Sequence, residues 1–290
     1  MRRWVWVCLV ASAACGSPVV PPPDDPPVAV AAVFSSTWDT AAGLSQEAVT
    51  DGGKWPNYWE FSAPIQLLSV VPSGPNGHHA LQVLQRGERS ANLQINDVVP
   101  PTTDFYLRFY FRNDDTSGAG DHIATVDYRN YQNLTFLRKV AGLTDFQPNV
   151  SAYGCADIYS IAHWRPARPL QNGRWWRFEY HVTYLDPTHI RVEVRVYDDA
   201  DVLILQTGDF RHAGFGSTPW SGRSDWTLAS YYAAGHSFCV QPLGPNGEHW
   251  MGRLAVGNNG QRFAADTGLA WYFAGVEIRT DKWPGPLVAK

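Results

Sequence analysis

The sequence FYLRFYFR at residues 105–112 decides the fold of this chain. Its odd positions hold Phe or Leu, and its even positions hold Tyr or Arg. Because successive side chains of a strand point to opposite faces, this alternation predicts a β-strand with one face in an apolar core and a polar, aromatic face on the other side. Alternation sorts residues onto two faces without fixing which face lies in a groove and which on a convex surface.

Similar segments run through the rest of the chain. Alternation recurs at residues 175–182 and 189–197, and the sequence LDPT at 185–188 between them predicts a β-hairpin. An acidic turn at 198–201 leads into an apolar segment at 202–205. Further strands are predicted at 80–84, 91–96, 122–128, 134–137, 226–232 and 269–279, and a short helical turn at 44–49. Many strands between Gly- and Pro-rich turns predict an all-β domain, built as a two-sheet sandwich or jelly roll.

The first residues are typical of an exported protein. A basic start is followed by an apolar run at 4–10 and small residues at 11–14, the layout of a secretory signal peptide. The apolar run is much shorter than the roughly 20 residues that a membrane-spanning helix needs. Residues 12–16, SAACG, resemble a bacterial lipobox, which implies a lipid on Cys15. Ser12 stands where the lipobox usually has Leu, so cleavage near Ala14 without a lipid stays open as an alternative.

A Pro-rich sequence, SPVVPPPDDPP at 17–27, predicts a semi-extended spacer. The expected organisation is a signal peptide at 1–14, a lipidated cysteine with its tether at 15–32, and one domain at 33–290. The protein is expected to be exported and held at a bacterial membrane through the lipid anchor alone. Resemblance to known sorting sequences, with Gly16 after the cysteine, favours the outer membrane or the cell surface.

Net charge and cysteine content limit the classes of partner and indicate the redox compartment in which the protein folds. A net charge of −4 and a pI near 6.1 give no electrostatic basis for binding nucleic acid, which we exclude as a partner. Of the four cysteines, Cys8 leaves with the signal peptide and Cys15 is the lipid site. In an exported protein the remaining two, Cys155 and Cys239, are predicted to form a disulfide worth about 4 to 5 kcal/mol. Two buried free thiols are the alternative.

Six segments together resemble the concanavalin A-like lectin and glucanase superfamily. They are NGHHALQV at 76–83, YLRFYFR at 106–112, GRWWRFEY at 173–180, RVEVRVY at 191–197, WYFAGVEI at 271–278 and WPGP at 283–286. The resemblance implies a jelly roll of two curved antiparallel sheets with a concave, sugar-binding face. It also allows for a structural calcium ion, which such jelly rolls often hold. The fold hosts lectins, glycosidases, lyases and inert modules, so it does not by itself set an activity.

Two enzyme classes of this superfamily differ in the motifs they need. A retaining glycosidase would show a Glu-x-Asp-x-Glu strand to hold its carboxylates about 5 to 5.5 Å apart, and the chain has none, so this class is disfavoured. RGERSAN at 86–92, QIN at 94–96 and YFAGVE at 272–277 resemble the strands of alginate lyase-type jelly rolls. That resemblance makes Arg89, Gln94 and Tyr272 catalytic candidates of a lyase that cleaves uronate-containing glycans by β-elimination. Asn96 replaces the family's His, and its Lys is missing.

Other candidates come from residue type and spacing. His122 and Tyr128 share one face of a predicted strand and could transfer protons, although ordinary sheet filling is the favoured interpretation. The scattered histidines predict no catalytic metal, and the polar run at 113–118 lacks the acidic twelfth residue of a calcium loop, where Ala124 stands.

A polar row on one strand gives the candidate glycan site. Tyr106, Arg108, Tyr110 and Arg112 share a face, and guanidinium and phenol groups suit an acidic sugar. We expect this row to line a groove with Arg89, Gln94 and His122, or else to lie on the convex surface. Trp59 and Trp226 are further stacking candidates among the 13 tryptophans. The sequence thus predicts a surface-tethered module that binds extracellular polysaccharide, with a polysaccharide lyase and an inert structural module as alternatives.

Overall fold

The computed structural model describes most of the domain predicted at 33–290. The described residues are 33–39, 57–60, 68–86, 91–96, 99, 103–114, 116, 121–128, 131–139, 146–152, 163–213, 225–240, 253–257 and 266–290. Cys15, Arg89 and Cys155, together with the signal peptide, the tether and the turn predicted at 44–49, lie outside them.

Strands dominate the described part of the chain. They are β1 (Phe34–Ser36), β2 (Asn57–Glu60), β3 (Leu68–Val71), β4 (Ala80–Arg86), β5 (Ala91–Asn96), β6 (Phe105–Asn113), β7 (Asp121–Tyr128), β8 (Tyr131–Lys139) and β9 (Phe146–Ala152). They continue with β10 (Trp164–Pro166), β11 (Trp176–Asp186), β12 (His189–Tyr197), β13 (Leu203–Gln206), β14 (Phe210–His212), β15 (Phe238–Cys239), β16 (Arg253–Gly257) and β17 (Asp266–Arg279). One α-helix, α1 (Leu228–Ala233), and 3₁₀ turns at Pro75–Gly77 and Thr207–Asp209 complete the described elements.

The strands form two antiparallel sheets, which confirms the all-β sandwich. The nine-stranded sheet runs in the order β13-β12-β11-β6-β17-β4-β3, with β1 beside β17 and β15 beside β12. The eight-stranded sheet runs in the order β14-β10-β9-β8-β7-β16-β5-β2. The hairpin predicted from the LDPT turn is confirmed as β11 and β12.

The core lies between the two sheets. The four apolar residues of β6 at odd positions are fully buried in the same cluster as Phe136 and Phe146 of the opposite sheet. The rings of Phe111 and Phe146 meet at 4.9 Å, and the Tyr180 hydroxyl donates to the Phe136 carbonyl oxygen at 2.5 Å. The polar side of β6 therefore points away from the eight-stranded sheet.

The strand predicted at 226–232 is wrong, because most of this segment forms α1. The Thr227 hydroxyl accepts from the Ser230 N–H at 3.1 Å, and the Ser230 hydroxyl accepts from the Thr227 N–H at 3.0 Å. This capping box satisfies N–H groups that the first turn of a helix leaves unpaired. Gly235, with a φ of 87°, follows the end of the helix. Two local capping signals thus override the apparent alternation.

The last ten residues, 281–290, cross the outer face of the nine-stranded sheet, and we call them the C-terminal strap. Leu287 is buried there against Tyr110 and Ala274, and its N–H donates to the Tyr110 hydroxyl at 3.0 Å. Gly275 has a φ of +52°, and a Cβ added to it would lie 2.5 Å from Leu287 Cδ1. Glycine at this position lets the strap lie directly on β17.

Two further observations concern the predicted disulfide and the prediction that the chain is held at a membrane by its lipid anchor alone. Cys239 is disulfide-bonded; since Cys155 lies outside the described residues, their pairing stays a prediction. In the described ranges, no helix is long and apolar enough to cross a membrane.

Candidate functional site

The polar row of β6 lies on the outer face of the nine-stranded sheet, where other parts of the chain cover it. Tyr106 stacks on His181 with ring centres 4.1 Å apart and meets Trp283 of the strap edge-on at 5.4 Å. The Arg195 guanidinium lies 4.0 Å from the Trp283 ring centre. Burial raises the pKa of Tyr106, with the neighbouring carboxylate of Asp104 acting in the same direction.

Arg108 is the most deeply buried member of the row, with 3% of its side chain exposed. Its Nη2 lies 2.7 Å from a Glu277 carboxylate oxygen, Nε donates to the Gly275 carbonyl at 3.0 Å, and Nη1 donates to the Gly285 carbonyl at 2.9 Å. Burial lowers the pKa of Arg108, and Glu277 opposes that shift. The guanidinium therefore ties β6 to β17 and to the strap.

The rest of the row is also bound within the molecule. Tyr110 is 5% exposed under Leu287, and Arg112 pairs with Asp114 at 2.8 and 2.5 Å. Arg112 also lies 5.0 Å from the ring centre of Tyr272, whose hydroxyl accepts from Gln82 Nε2 at 3.0 Å. Tyr272, a catalytic candidate, thus belongs to the outer face of the nine-stranded sheet.

The other candidates lie on the opposite sheet. Gln94 is in β5, His122 and Tyr128 are in β7, and Trp59 is in β2, all strands of the eight-stranded sheet. Since the core separates the two outer faces, the structure does not bring these residues together with the β6 row or with Tyr272. Gln94 and His122 therefore do not line one groove with the β6 row, and Arg89, the other residue expected there, lies outside the described residues.

A continuous row crosses the eight-stranded sheet through Gln94. Directly opposed positions link β2, β5, β16, β7, β8 and β9 in the order Asn57, Gln94, Ala255, Thr125, Thr135 and Ser151. We call this set the Gln94 row. Residues directly opposite each other in a ladder share a face of the sheet.

The neighbouring rows show which face this is. Leu93 opposes Val256, and Leu254 opposes Ile95; Leu93, Leu254 and Val256 are all fully buried in the core. Because alternate positions occupy opposite faces, the Gln94 row falls on the outer face. Arg253, opposite both Asn96 and Asp127, belongs to the same face.

Two outer-face residues with described side chains are nevertheless buried. Ala255 of the Gln94 row is 1% exposed, and Asn149 of β9, between core-facing Pro148 and Val150, is 2% exposed. At these two positions, other atoms of the chain exclude solvent from the outer face of the sheet.

Trp226 lies at the β14 edge of this sheet. Its carbonyl accepts from the His212 N–H at 3.0 Å, and its half-buried ring lies 5.2 Å from His236 and 5.7 Å from Tyr231. Burial lowers the pKa of His212. Trp226 keeps enough exposed surface to remain a stacking candidate.

The structure bears on the metal predictions only through the residues that it describes. Among the residues that the structure describes, no cluster of three or more His, Cys, Asp or Glu side chains could hold a metal ion. The structural calcium implied by the resemblance stays untested. At the start of the polar run, Asn113 donates through Nδ2 to Asn172 Oδ1 at 2.5 Å, and Asp114 binds Arg112.

Comparison with known proteins gives the fold. No family model matches the chain, and no curated protein matches it. Among solved structures, the PL-14 alginate lyase from Aplysia kurodai has a TM-score of 0.54 and 11% identity, covering 86% of this chain and 99% of the lyase. The fold is a concanavalin A-like jelly roll.

Two more solved structures have lower scores. Cellulose induced protein Cip1 has a TM-score of 0.49 and 16% identity, covering 87% of this chain and all of Cip1 (100%). The endo-β-1,4-glucuronan lyase from Trichoderma reesei has a TM-score of 0.45 and 10% identity, covering 86% of this chain and 96% of the lyase. At such identities the likeness concerns the fold alone.

Proposed function

We propose that this chain binds polysaccharide on the outer face of its eight-stranded sheet. The Gln94 row carries the proposal, because all but one of its six positions hold an amide or hydroxyl residue. Such side chains donate and accept hydrogen bonds, as sugar hydroxyls require. With strands about 4.8 Å apart, the row extends over roughly 24 Å, enough for several sugar rings.

Ala255 fits this role at the centre of the row. Polar positions flank it on both sides in Gln94 and Thr125, so the amide and hydroxyl groups of the row continue across the centre of the sheet. The outer face of the nine-stranded sheet differs: Arg108 and Tyr110 there lie under the C-terminal strap, and the polar row of Ser69, Gln82 and Tyr272 is joined by hydrogen bonds within the chain. The fold likeness to an alginate lyase agrees with a carbohydrate ligand.

A polysaccharide lyase is the second candidate. Gln94, His122 and Tyr128 lie on strands of one sheet, separated by β16 alone. Tyr272 and Arg112 lie on the other sheet. A lyase site on the eight-stranded sheet would therefore have to take from that sheet both its catalytic base and the group that neutralises the uronate carboxylate. Binding requires no such pair of groups and is therefore the function that we place first.

The tether belongs to the same proposal. A lipid on Cys15 and the Pro-rich spacer after it would hold the jelly roll at the surface of a bacterial membrane, where extracellular polysaccharide is accessible. Cys15→Ser should then release the protein into the soluble fraction while leaving glycan binding intact.

The test compares two glutamines of the same sandwich. Gln94→Ala should weaken polysaccharide binding about tenfold, because losing hydrogen bonds worth about 1.4 kcal/mol changes affinity by that factor. Gln82→Ala on the opposite outer face is the matched control and should leave binding unchanged. Affinity electrophoresis against neutral and uronate polysaccharides measures both, and absorbance of an unsaturated product reports lyase activity. Equal effects of the two variants, or no binding to any polysaccharide, would contradict the proposal.

A further inference from the structure

His78, in the loop before β4, has an oxygen atom close to each of its two ring nitrogens. Nδ1 lies 2.6 Å from a carboxylate oxygen of Asp39, and Nε2 lies 2.8 Å from the backbone carbonyl oxygen of Val288 in the C-terminal strap. Only 11% of the His78 side chain is exposed. The imidazole therefore connects the strap to the residues that follow β1.

These two contacts are both hydrogen bonds only while the His78 ring is protonated. An ionised carboxylate and a backbone carbonyl can only accept hydrogen bonds, so each ring nitrogen has to donate. The imidazolium cation carries two N–H groups, whereas the neutral imidazole carries one. The geometry around His78 thus fits the cation, and a neutral ring would turn a lone pair towards one of the two oxygen atoms.

The two partners decide which nitrogen of His78 loses its proton. Burial tends to raise the pKa of Asp39, but its bonds to His78 and His79 outweigh burial and lower it, so Asp39 is an anion. Hydrogen bonds to an ionised acceptor are about twice as strong as those between neutral groups. The last ring proton therefore stays on Nδ1, facing Asp39. Deprotonation removes the bond from Nε2 to Val288 and keeps the bond to Asp39.

Two other titratable groups contact this site. The Lys290 ammonium lies 3.6 Å from Asp39 Oδ1, and a lysine keeps its charge between about pH 5 and pH 8. His79 Nδ1 lies 3.1 Å from the Trp38 carbonyl oxygen, a contact that needs one N–H, and a neutral imidazole supplies it. These contacts do not require a change of protonation in that range, whereas the two contacts of His78 do.

Polar contacts hold this part of the strap against the loop before β4. The Lys290 N–H donates to the Asn76 carbonyl at 3.1 Å, and Asn76 Nδ2 donates to the Leu287 carbonyl at 2.8 Å. Val288 itself is 84% exposed, so apolar burial of its side chain does not hold it in place. Loss of the bond from His78 should therefore increase the fraction of molecules in which residues 287–290 are detached.

We propose that His78 is a proton-dependent latch, which holds residues 287–290 in its charged form and loosens them when it loses its proton. Histidine is the side chain that ordinarily changes charge between about pH 5 and pH 8. The cation contributes its bond to the strap at the acid end of this range, and the contribution is lost as the pH rises. Asp39 stays ionised throughout, because its pKa is lowered. The latch does not depend on polysaccharide binding.

The experiment measures hydrogen exchange of the full chain by NMR at pH 5 and pH 8. The reporters are the amides of Leu287 and Lys290, which donate to the Tyr110 hydroxyl and the Asn76 carbonyl. Their protection factors, which correct for the intrinsic pH dependence of exchange, should be about tenfold lower at pH 8, as expected for one lost hydrogen bond.

Two variants separate the latch from other effects of pH. His78→Gln removes the titrating ring and should give the same protection factors at both pH values. His189→Gln is the matched control, because His189 also pairs with an aspartate, Asp186, but lies in the β11–β12 hairpin with 43% of its side chain exposed. It should behave as the wild type.

Three results would overturn the latch. The first is wild-type protection that is equal at the two pH values, and the second is a tenfold change that persists in His78→Gln. The third comes from ¹⁵N NMR of the wild-type ring, which needs no variant to fold. At pH 8 the His78 proton should lie on Nδ1, and a neutral ring protonated on Nε2 would contradict the proposal.

Discussion

The two outer faces of this sandwich are built from the same alternating strands but have different polar chemistry. On the nine-stranded sheet, charged side chains oppose charges of the other sign, and the C-terminal strap covers Arg108 and Tyr110. On the eight-stranded sheet, a row of mostly amide and hydroxyl positions runs from Asn57 through Gln94 to Ser151. Polar groups that bond within the chain contribute to the fold, whereas a row of amide and hydroxyl groups suits a sugar ligand.

Removing the buried Arg108–Glu277 ion pair tests whether the outer face of the nine-stranded sheet stabilises the fold. It has the largest expected effect on the free energy of unfolding. Glu277→Gln removes the carboxylate that pairs with the buried Arg108 guanidinium, and breaking such a pair costs about 3 to 5 kcal/mol. We expect about 3 kcal/mol, because Arg108 keeps its bonds to the carbonyls of Gly275 and Gly285 and still faces Glu179 of β11. Chemical denaturation measures the free energy of unfolding.

Glu193→Gln is the matched control for Glu277→Gln. Glu193 contacts His181 on the same face, but its side chain is 56% exposed, and exposed ion pairs contribute about 0 to 1 kcal/mol. Polysaccharide affinity, measured where both variants are folded, should equal that of the wild type. Similar losses of stability in the two variants would show that burial under the strap is unimportant.

A smaller, pH-dependent effect is expected where the strap ends. Asp39 accepts from the His79 N–H at 2.9 Å and binds His78 Nδ1 at 2.6 Å, while His78 Nε2 lies 2.8 Å from the Val288 carbonyl oxygen. Burial tends to raise the pKa of Asp39, but its bonds to His78 and His79 outweigh burial and lower it. The carboxylate thus links the strap to the loop before β4.

The sign of the effect follows from the lowered pKa. A carboxyl group whose pKa falls on folding contributes stability above its unfolded pKa of about 3.9, and loses it as the pH falls through the folded value. Asp39→Asn should therefore cost about 1 to 2 kcal/mol at pH 7 and progressively less below about pH 4. Denaturation midpoints of both proteins at pH 3 and pH 7 check this. A constant difference across that range would show that the charge of Asp39 does not matter.

The sequence predicted local features well where adjacent residues carry the signal. Alternation at 105–112 identified β6 and its core-facing side, and β5 has the predicted bounds, Ala91–Asn96. At α1 the apparent alternation was misleading, because the Thr227–Ser230 capping box set the local structure. Thr followed by Ser three residues later, with Gly235 beyond the helix, is the signal that could have identified it.

The candidate site could be predicted only in part, since it depends on contacts between distant strands. Gln94 was singled out from a family resemblance and Trp59 from its residue type, but nothing in the sequence shows that Gln94 opposes Ala255 or that Arg165 opposes Arg211. The assignment of β6 and β5 to different sheets is likewise a property of long-range pairing. Period two fixes two faces for each strand, and only the strand order shows which faces lie side by side.

The position of a bound oligosaccharide in a crystal structure of this protein tests the central claim most directly. The account predicts the sugar chain along the Gln94 row of the eight-stranded sheet. Density for the sugar on the other outer face, against Tyr106 or Arg112, would contradict it.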